Sequence, residues 1–317
     1  MQAVILAAGK GSRLAPITNS RSKGMLPILG KPIVARILEN LVASGLRDFF
    51  LVVSPEDREI REYFQGEFGL EINVQFVDQD RRLGTADALK RAAPYLNEDF
   101  VLSACDNFVP VEEVQRFISA WTQQPDAQGL LSLERISLED TLKTGIVTLE
   151  GDQVTEIIEK PLPEEAPSDI SSTPLYIFSL RILKYLPRVP ISARGEYELQ
   201  DAIQMMINDG HAVRGLFLQN RLTLTTAEDL LEINLQFLNH QPETIKNEAS
   251  QVGLGTKLVP PVYIEAGVEI GSNCRIGPGV YIEKGVRIED NVKLEGVIVL
   301  KNAQIHEGAE FTLTLIS

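Results

Sequence analysis

The sequence predicts an α/β protein: a doubly wound, mixed and mostly parallel sheet over residues 1–240, a linker at 241–257, and a short hexapeptide-repeat β-helix at 258–317. Three observations carry this. Ala3 to Leu6 is a short apolar run with the length and composition of a buried parallel strand, and it leads into a glycine loop, Gly9-Lys10-Gly11-Ser12-Arg13. Strand-like and helix-like segments then alternate as far as Asn107. From Val262 the aliphatic residues recur every six positions, a period that belongs to neither a helix nor a single strand and marks hexapeptide repeats.

After the glycine loop, residues 33–44 place Val34, Ile37, Leu41 and Val42 at helical spacing, and Gly45 stands where helices commonly end. Phe49 to Val53 predicts a strand, residues 56–66 a charged helix, Ile72 to Val77 a strand and residues 84–95 a helix. Phe100 to Ala104 predicts a strand ending at Cys105-Asp106-Asn107. Doubly wound sheets bind ligands outside the carboxyl ends of their strands, which singles out the loops after Leu6, Val77 and Ala104. Residues 145–158 predict a hairpin around Glu150-Gly151-Asp152. A Pro/Glu/Ser loop at 161–172, an apolar segment from Leu175 to Phe178, and helices over 198–207 and 227–238 follow. In the repeats the third position of each hexad is Ile264, Ile270, Ile276, Ile282, Ile288, Leu294 and Leu300, and an eighth unit breaks the rule at His306. At about 18 residues per turn, residues 262–309 make about two and a half turns.

Of 317 residues, the acidic ones outnumber the basic ones to give a net charge of −14, which argues against nucleic acid or an anionic membrane as partner. No run of about 20 apolar residues offers a membrane span, and the N-terminus has no signal-peptide pattern. Cys105 and Cys274 lie far apart, which suits a reducing cytoplasm without a disulfide framework. Yet the first acidic residue is Glu39, after Lys10, Arg13, Arg21, Lys23, Lys31 and Arg36. Such a basic island in an acidic chain points to a small, highly anionic ligand. Two familiar phosphate loops are ruled out: GxxxxGK[ST] is absent, and GxGxxG fails at Leu14. His211, His240 and His306 are scattered, so histidine-based catalysis is not expected.

Residues 9–32 resemble the signature of the sugar-1-phosphate nucleotidyltransferases, the NDP-sugar pyrophosphorylases, roughly GxGTRLxPLTxxxxKPxLPxxGKP. Gly9, Gly11, Arg13, Leu14, Pro16, Thr18, Lys23, Pro27, Gly30, Lys31 and Pro32 match; Ser12 replaces Thr, Ile17 replaces Leu, and Gly24 replaces Pro. The resemblance implies a Rossmann-like nucleotidyltransferase domain closed by a left-handed β-helix. It implies Mg²⁺-dependent transfer of a nucleotidyl group from an NTP, UTP or dTTP, to glucose 1-phosphate or N-acetylglucosamine 1-phosphate. The sugar phosphate attacks the α-phosphorus and pyrophosphate leaves. Such chemistry needs positioning and charge neutralisation more than proton transfer.

The resemblance also implies roles. Arg13 and Lys23 are the catalytic cations, Arg13 gripping the phosphates and Lys23 lying beside the α-phosphate. Leu6, Ala8, Gly9, Gly11 and Ser12 complete the nucleotide-binding loop. Gln79 reads the base through an amide that both donates and accepts, Gly84 lets the base approach the backbone, and Thr85 follows it. Asp106 is a metal ligand. Gln219 or Asn220 is a second, Asn220 being preferred, since Thr223 takes the place of the aspartate used by many relatives. The segment NRLTL, like that of N-acetylglucosamine-1-phosphate uridylyltransferases, tilts the nucleotide toward UTP. Gly145, Glu159, Lys160, Tyr176 and Arg194 form the sugar-phosphate side, with Pro174 standing where relatives have glycine. The expected partners are an NTP and a sugar 1-phosphate, with a homo-oligomer (dimer, trimer or tetramer) assembled or capped by the repeats. Thr223, Cys105 and Pro174 leave open a catalytically impaired relative that binds nucleotide sugar or serves as a regulatory or assembly subunit. An acyltransferase activity in the repeats is a third reading.

Overall fold

The computed structural model describes residues 1–317. The chain divides into two compact units. One comprises Met1–Lys10, Ser22–Met25 and Val34–Leu222; the other comprises Gly11–Arg21, Leu26–Ile33 and Thr223–Ser317.

The first unit is built on a nine-stranded sheet. Its strands are β1 (Gln2–Leu6), β2 (Asp48–Val53), β3 (Asn73–Asp78), β4 (Phe100–Ala104), β5 (Gly129–Arg135), β6 (Gly145–Glu150), β7 (Gln153–Glu159), β8 (Ile170–Phe178) and β9 (Val213–Phe217). Their spatial order is β3-β2-β1-β4-β8-β5-β9-β7-β6. β1 pairs in parallel with both β2 and β4, and Ala3, Val4 and Ile5 are wholly buried, as its unbroken apolar run requires. The parallel expectation holds for β3-β2-β1-β4. Beyond β4 the sheet turns antiparallel except at β5–β9, because β6, β7 and β8 follow one another without helical crossovers. Pro174 lies where the β8 register shifts between Thr173 and Tyr176, a place that tolerates its missing N–H.

Helices follow the alternation. α1 (Ile33–Ala43) precedes β2; the charged helix is short, α2 (Arg58–Glu62), with Asp57 capping the Ile60 amide. α3 (Thr85–Ala92) turns Ala86, Ala88, Leu89 and Ala92 into a core shared with Val4, Val52 and Leu102 of the sheet. α4 (Val111–Thr122) follows β4, and α5 (Leu199–Asn208) adds Leu199, Ala202, Ile203 and Met206 to the same core. No helix is long and apolar enough to cross a membrane.

The second unit contains α6 (Ala227–Asn239), opened by a Thr226–Asp229 capping box. Its strands are β10 (Thr244–Lys246), β11 (Gln251–Val252), β12 (Lys257–Leu258), β13 (Val262–Ile264), β14 (Glu269–Ile270), β15 (Arg275–Ile276), β16 (Val280–Ile282), β17 (Arg287–Ile288), β18 (Lys293–Val299), β19 (Gln304–Ile305) and β20 (Glu310–Ile316). They pair in parallel as three stacks, led by β10-β13-β16, β11-β14-β17 and β12-β15-β18. Val262, Ile264, Val268, Ile270, Cys274 and Ile276 and their equivalents on later coils fill the interior.

Two expectations change. Residues 241–257, read as a linker, carry β10, β11 and the start of β12, each paired with a strand one coil later. Thr244, Ser250 and Thr256 occupy the places of Val262, Val268 and Cys274, so polar residues on inward positions hid the first coil. The repeat also does not break at His306. Ile264 faces Ile282, 18 residues on, but Ile282 faces Val299 and Ile288 faces Ile305, each 17 on. One residue is missing at the turn through Gly296, which adopts φ +64, and the frame resumes at Val297, Val299, Ala303 and Ile305.

Candidate active site

The carboxyl ends of β1 and β4 set the first cluster. The Leu6 carbonyl accepts from the Cys105 amide at 3.1 Å, tying the loop after β1 to the loop after β4. Lys23 forms an ion pair with Asp106 there. Gly24 packs on Cys105: a Cβ on Gly24 would meet the Cys105 Cβ at 3.5 Å and its Sγ at 3.6 Å, so the thiol fills the space beside this glycine. Burial pushes the Cys105 thiol up to about 12, with the Asp106 carboxylate adding to the effect, which keeps it a protonated packing group. The Ala8 carbonyl accepts from Arg82 Nε at 2.7 Å, a contact with no signal in the sequence. Gly9 has nothing within 4 Å of where a Cβ would stand, so its backbone is open to a ligand.

The remainder of the glycine loop belongs to the second unit. Gly11 adopts φ +65 ahead of the short turn Ser12–Leu14, and its carbonyl accepts from Thr18 Oγ1 at 2.9 Å. Ser12 and Arg13 are exposed.

After β3 the Gln79 side chain is buried, and its amide nitrogen donates to Gly84 O at 3.1 Å and Asp87 Oδ2 at 2.9 Å. The acceptor oxygen is what Gln79 has left to offer a ligand. Gly84 adopts φ +98, and a Cβ there would stand 2.5 Å from the Tyr197 carbonyl oxygen. Its neighbours pair with that backbone: Tyr197 N donates to Leu83 O, and Ala86 N to Tyr197 O. Thr85 Oγ1 accepts from Leu199 N at 3.2 Å. Two motifs distant in sequence, around Gln79 and around Arg194, are thereby joined.

The third cluster lies on the β6–β8 side. Gly145 pairs with both Glu159 and Ser172, and a Cβ on it would come within 3.0 Å of Ser172 Oγ. Lys160, at φ +49, turns its ammonium to 3.1 Å from Glu159 Oε1, and Arg194 lies 3.9 Å from the same oxygen and 2.9 Å from Glu198. Glu159 Oε2 is buried without a hydrogen-bond partner. Burial raises the Glu159 carboxyl above its usual range, and Lys160 offsets part of that. Tyr176 is buried with its hydroxyl 3.2 Å from Ser172 Oγ. Burial raises the Tyr176 phenol, and both Glu159 and Arg221 act on it electrostatically, Arg221 in the opposite sense.

Arg221, given no role by the sequence analysis, reaches the loop after β4. It donates to Asn107 Oδ1 at 3.1 Å and pairs with Glu134. The turn it brings to Asn107 carries Gln219 and Asn220, both exposed, with Asn220 at φ +55. No cluster of three or more His, Cys, Asp or Glu side chains forms a metal site.

These features define an α/β protein with a charged site at the carboxyl edge of its sheet. Residues 2–239 match the nucleotidyl transferase family, and residues 258–317 match the GMPPB C-terminal domain. A UTP–glucose-1-phosphate uridylyltransferase, AglF, of Haloferax volcanii is 32% identical over 234 residues, 72% of this chain and 93% of that protein. A glucose-1-phosphate thymidylyltransferase of Streptomyces antibioticus is 30% identical over 293 residues, 86% of this chain and 80% of that protein. A UTP-bound UGPase from Acinetobacter baumannii shares the fold with a TM-score of 0.67 at 23% identity, over 76% of this chain and 94% of that one. The chain belongs to the nucleotidyl transferase family.

Proposed function

We propose that the protein transfers a nucleotidyl group from UTP or dTTP to a sugar 1-phosphate, glucose 1-phosphate or N-acetylglucosamine 1-phosphate, and releases pyrophosphate. A phosphate oxygen of the sugar ester bonds to the α-phosphorus of the NTP, and the bond from that phosphorus to the bridging oxygen breaks. Both reactants are polyanions, so the main demands on the protein are neutralisation and in-line placement. Arg13 holds the triphosphate, backbone amides of Gly9 and Gly11 meet its oxygens, and Lys23 lies at the α-phosphate. Lys160 and Arg194 hold the sugar phosphate. Glu159 Oε2, a buried acceptor without a partner, takes a sugar hydroxyl. The free acceptor of Gln79 suits a base that presents a ring N–H, as uracil and thymine do.

Mg²⁺ would be held by Asp106 and an amide oxygen of Gln219 or Asn220; so few protein oxygens suit an ion that keeps waters and takes phosphate oxygens. Bound there, the ion would neutralise charge on the NTP phosphates. The repeats form a left-handed β-helix that assembles subunits, and both cysteines are free and buried, in keeping with a reducing cytoplasm.

The observation that carries this reading is the placement of Tyr176. Its hydroxyl meets Ser172 Oγ, and Ser172 pairs with Gly145 on the sugar-phosphate side; the charges of Glu159 and Arg221 both act on it, and Arg221 donates to Asn107, next to Asp106. A matrix of NTPs against sugar 1-phosphates with Mg²⁺ tests it. Pyrophosphate release from UTP or dTTP is expected; no release from any pair, with folded protein, overturns it.

A further inference from the structure

Residues 11–21 and 26–33 belong to the same compact unit as the repeats, and the repeats hold them through buried polar groups. Arg21 and Glu283 are 7% and 5% exposed, and one guanidinium nitrogen donates to both carboxylate oxygens, at 2.8 and 3.0 Å. Glu283 also accepts from Lys301 N at 2.7 Å, so its carboxylate is oriented from within the stack. Tyr281, on β16 and two residues before Glu283, is fully buried; its hydroxyl donates to Glu265 and accepts from the Gly30 amide. A Cβ on Gly30, at φ +75, would lie 3.1 Å from the Tyr263 hydroxyl and 3.3 Å from Glu265, so this turn sits directly on the coils. Asn234 of α6, also fully buried, accepts from Leu29 N at 2.9 Å and donates to Pro27 O at 3.1 Å. Leu29 itself is at φ +43, a conformation that leucine holds only where its surroundings impose it.

Apolar packing would stabilise such a contact at least as well as a buried ion pair, and a buried pair is better suited to fixing geometry. In sequence, Lys23 lies between the two anchored points, Arg21 and Pro27–Gly30. We propose that Glu283, Tyr281 and Asn234 are positioning residues: the repeats, with α6, hold the signature segment in the conformation that receives the triphosphate. This rests on the reading of Arg13 and Lys23 as the phosphate-binding cations. It predicts that turnover depends on these contacts within each subunit.

The test uses the full-length chain with Tyr281→Phe and Glu283→Gln, and Glu269→Gln, from an exposed pair with Arg287, as control. Subunit number, amide hydrogen exchange over residues 26–33, and kcat and KM by pyrophosphate release are measured together. Exchange is expected to quicken by about tenfold or more. kcat should fall about 10- to 100-fold at saturating substrates, with subunit number unchanged and KM for the sugar 1-phosphate little moved. The reciprocal exchange Arg21→Glu with Glu283→Arg should recover part of the kcat lost in Glu283→Arg alone. Wild-type kcat in both variants, or a loss that tracks loss of subunits, overturns the proposal. If the wild-type chain releases no pyrophosphate, the functional reading fails instead; exchange unchanged by the variants would then overturn the holding contacts themselves.

Discussion

At Glu159 the fold buries an ionisable group beside two cations and leaves one of its oxygens unmatched. Its carboxyl titrates above the usual range, so the folded chain binds that proton more tightly than the unfolded one. Ionised Glu159 therefore opposes folding above its folded pKa, and the opposition fades as pH falls through that value. Function runs the other way, because the protonated carboxyl loses acceptor capacity. KM for the sugar 1-phosphate should rise on acidification at a pH above the ordinary carboxylate range, and a pH series of initial rates checks this. Glu159→Gln should raise KM at neutral pH and remove that pH dependence. Lys23→Met should lower kcat by about 10²- to 10³-fold while leaving Asp106 tolerably solvated, since both side chains are partly exposed. Pyrophosphate release and a thermal melt on the same sample separate the two effects. Lys23, Asp106, Glu159, Lys160 and Arg194 could be singled out in the sequence because each stands in a motif of fixed spacing. Arg82 and Arg221 could not: they bind a carbonyl and an amide 74 and 114 residues away, and such contacts leave no local pattern.

Among elements, the N-terminal strands and helices were plain from their apolar spacing, and the later strands were not. β6, β7 and β8 lie in one sheet with the parallel strands but run against their neighbours, a choice made by short connections and tertiary pairing. The repeats show a second limit of periodicity. A one-residue shortening near Gly296 shifts the inward positions, so a strict count of six assigns His306 to the interior although it is exposed. The first coil is concealed by its hydroxyls. Thr256 Oγ1 donates to Gly271 O at 2.7 Å and accepts from Cys274 N at 2.9 Å. Thr256→Val, though more apolar, should therefore lower stability by about 1–3 kcal/mol, measured by denaturant midpoint. In the first unit, Gly84→Ala meets a carbonyl oxygen at 2.5 Å and a positive φ together. It should destabilise by more than about 1 kcal/mol, with a lower melting temperature as the readout.

For the whole molecule, the sequence suggested a domain over residues 1–240, a linker at 241–257 and a repeat region at 258–317. The chain passes between its two compact units after Lys10, Arg21, Met25, Ile33 and Leu222. Hydrophobic pattern marks elements and cannot say which unit a loop joins, so this interleaving was not legible. Removing residues 258–317 would leave Arg21 without Glu283 and the strands 244–252 without their partners. That truncation should yield aggregated or inactive protein in place of a smaller active enzyme, as size-exclusion chromatography with pyrophosphate assay would show. The net charge of −14 makes the basic stretch before Glu39 the natural place for a polyanion. The most direct measurement is a crystal structure with UTP and Mg²⁺. The account predicts the triphosphate against Gly9, Gly11 and Arg13, with the Lys23 ammonium at the α-phosphate. A nucleotide bound elsewhere, or those side chains turned away from its phosphates, would contradict it.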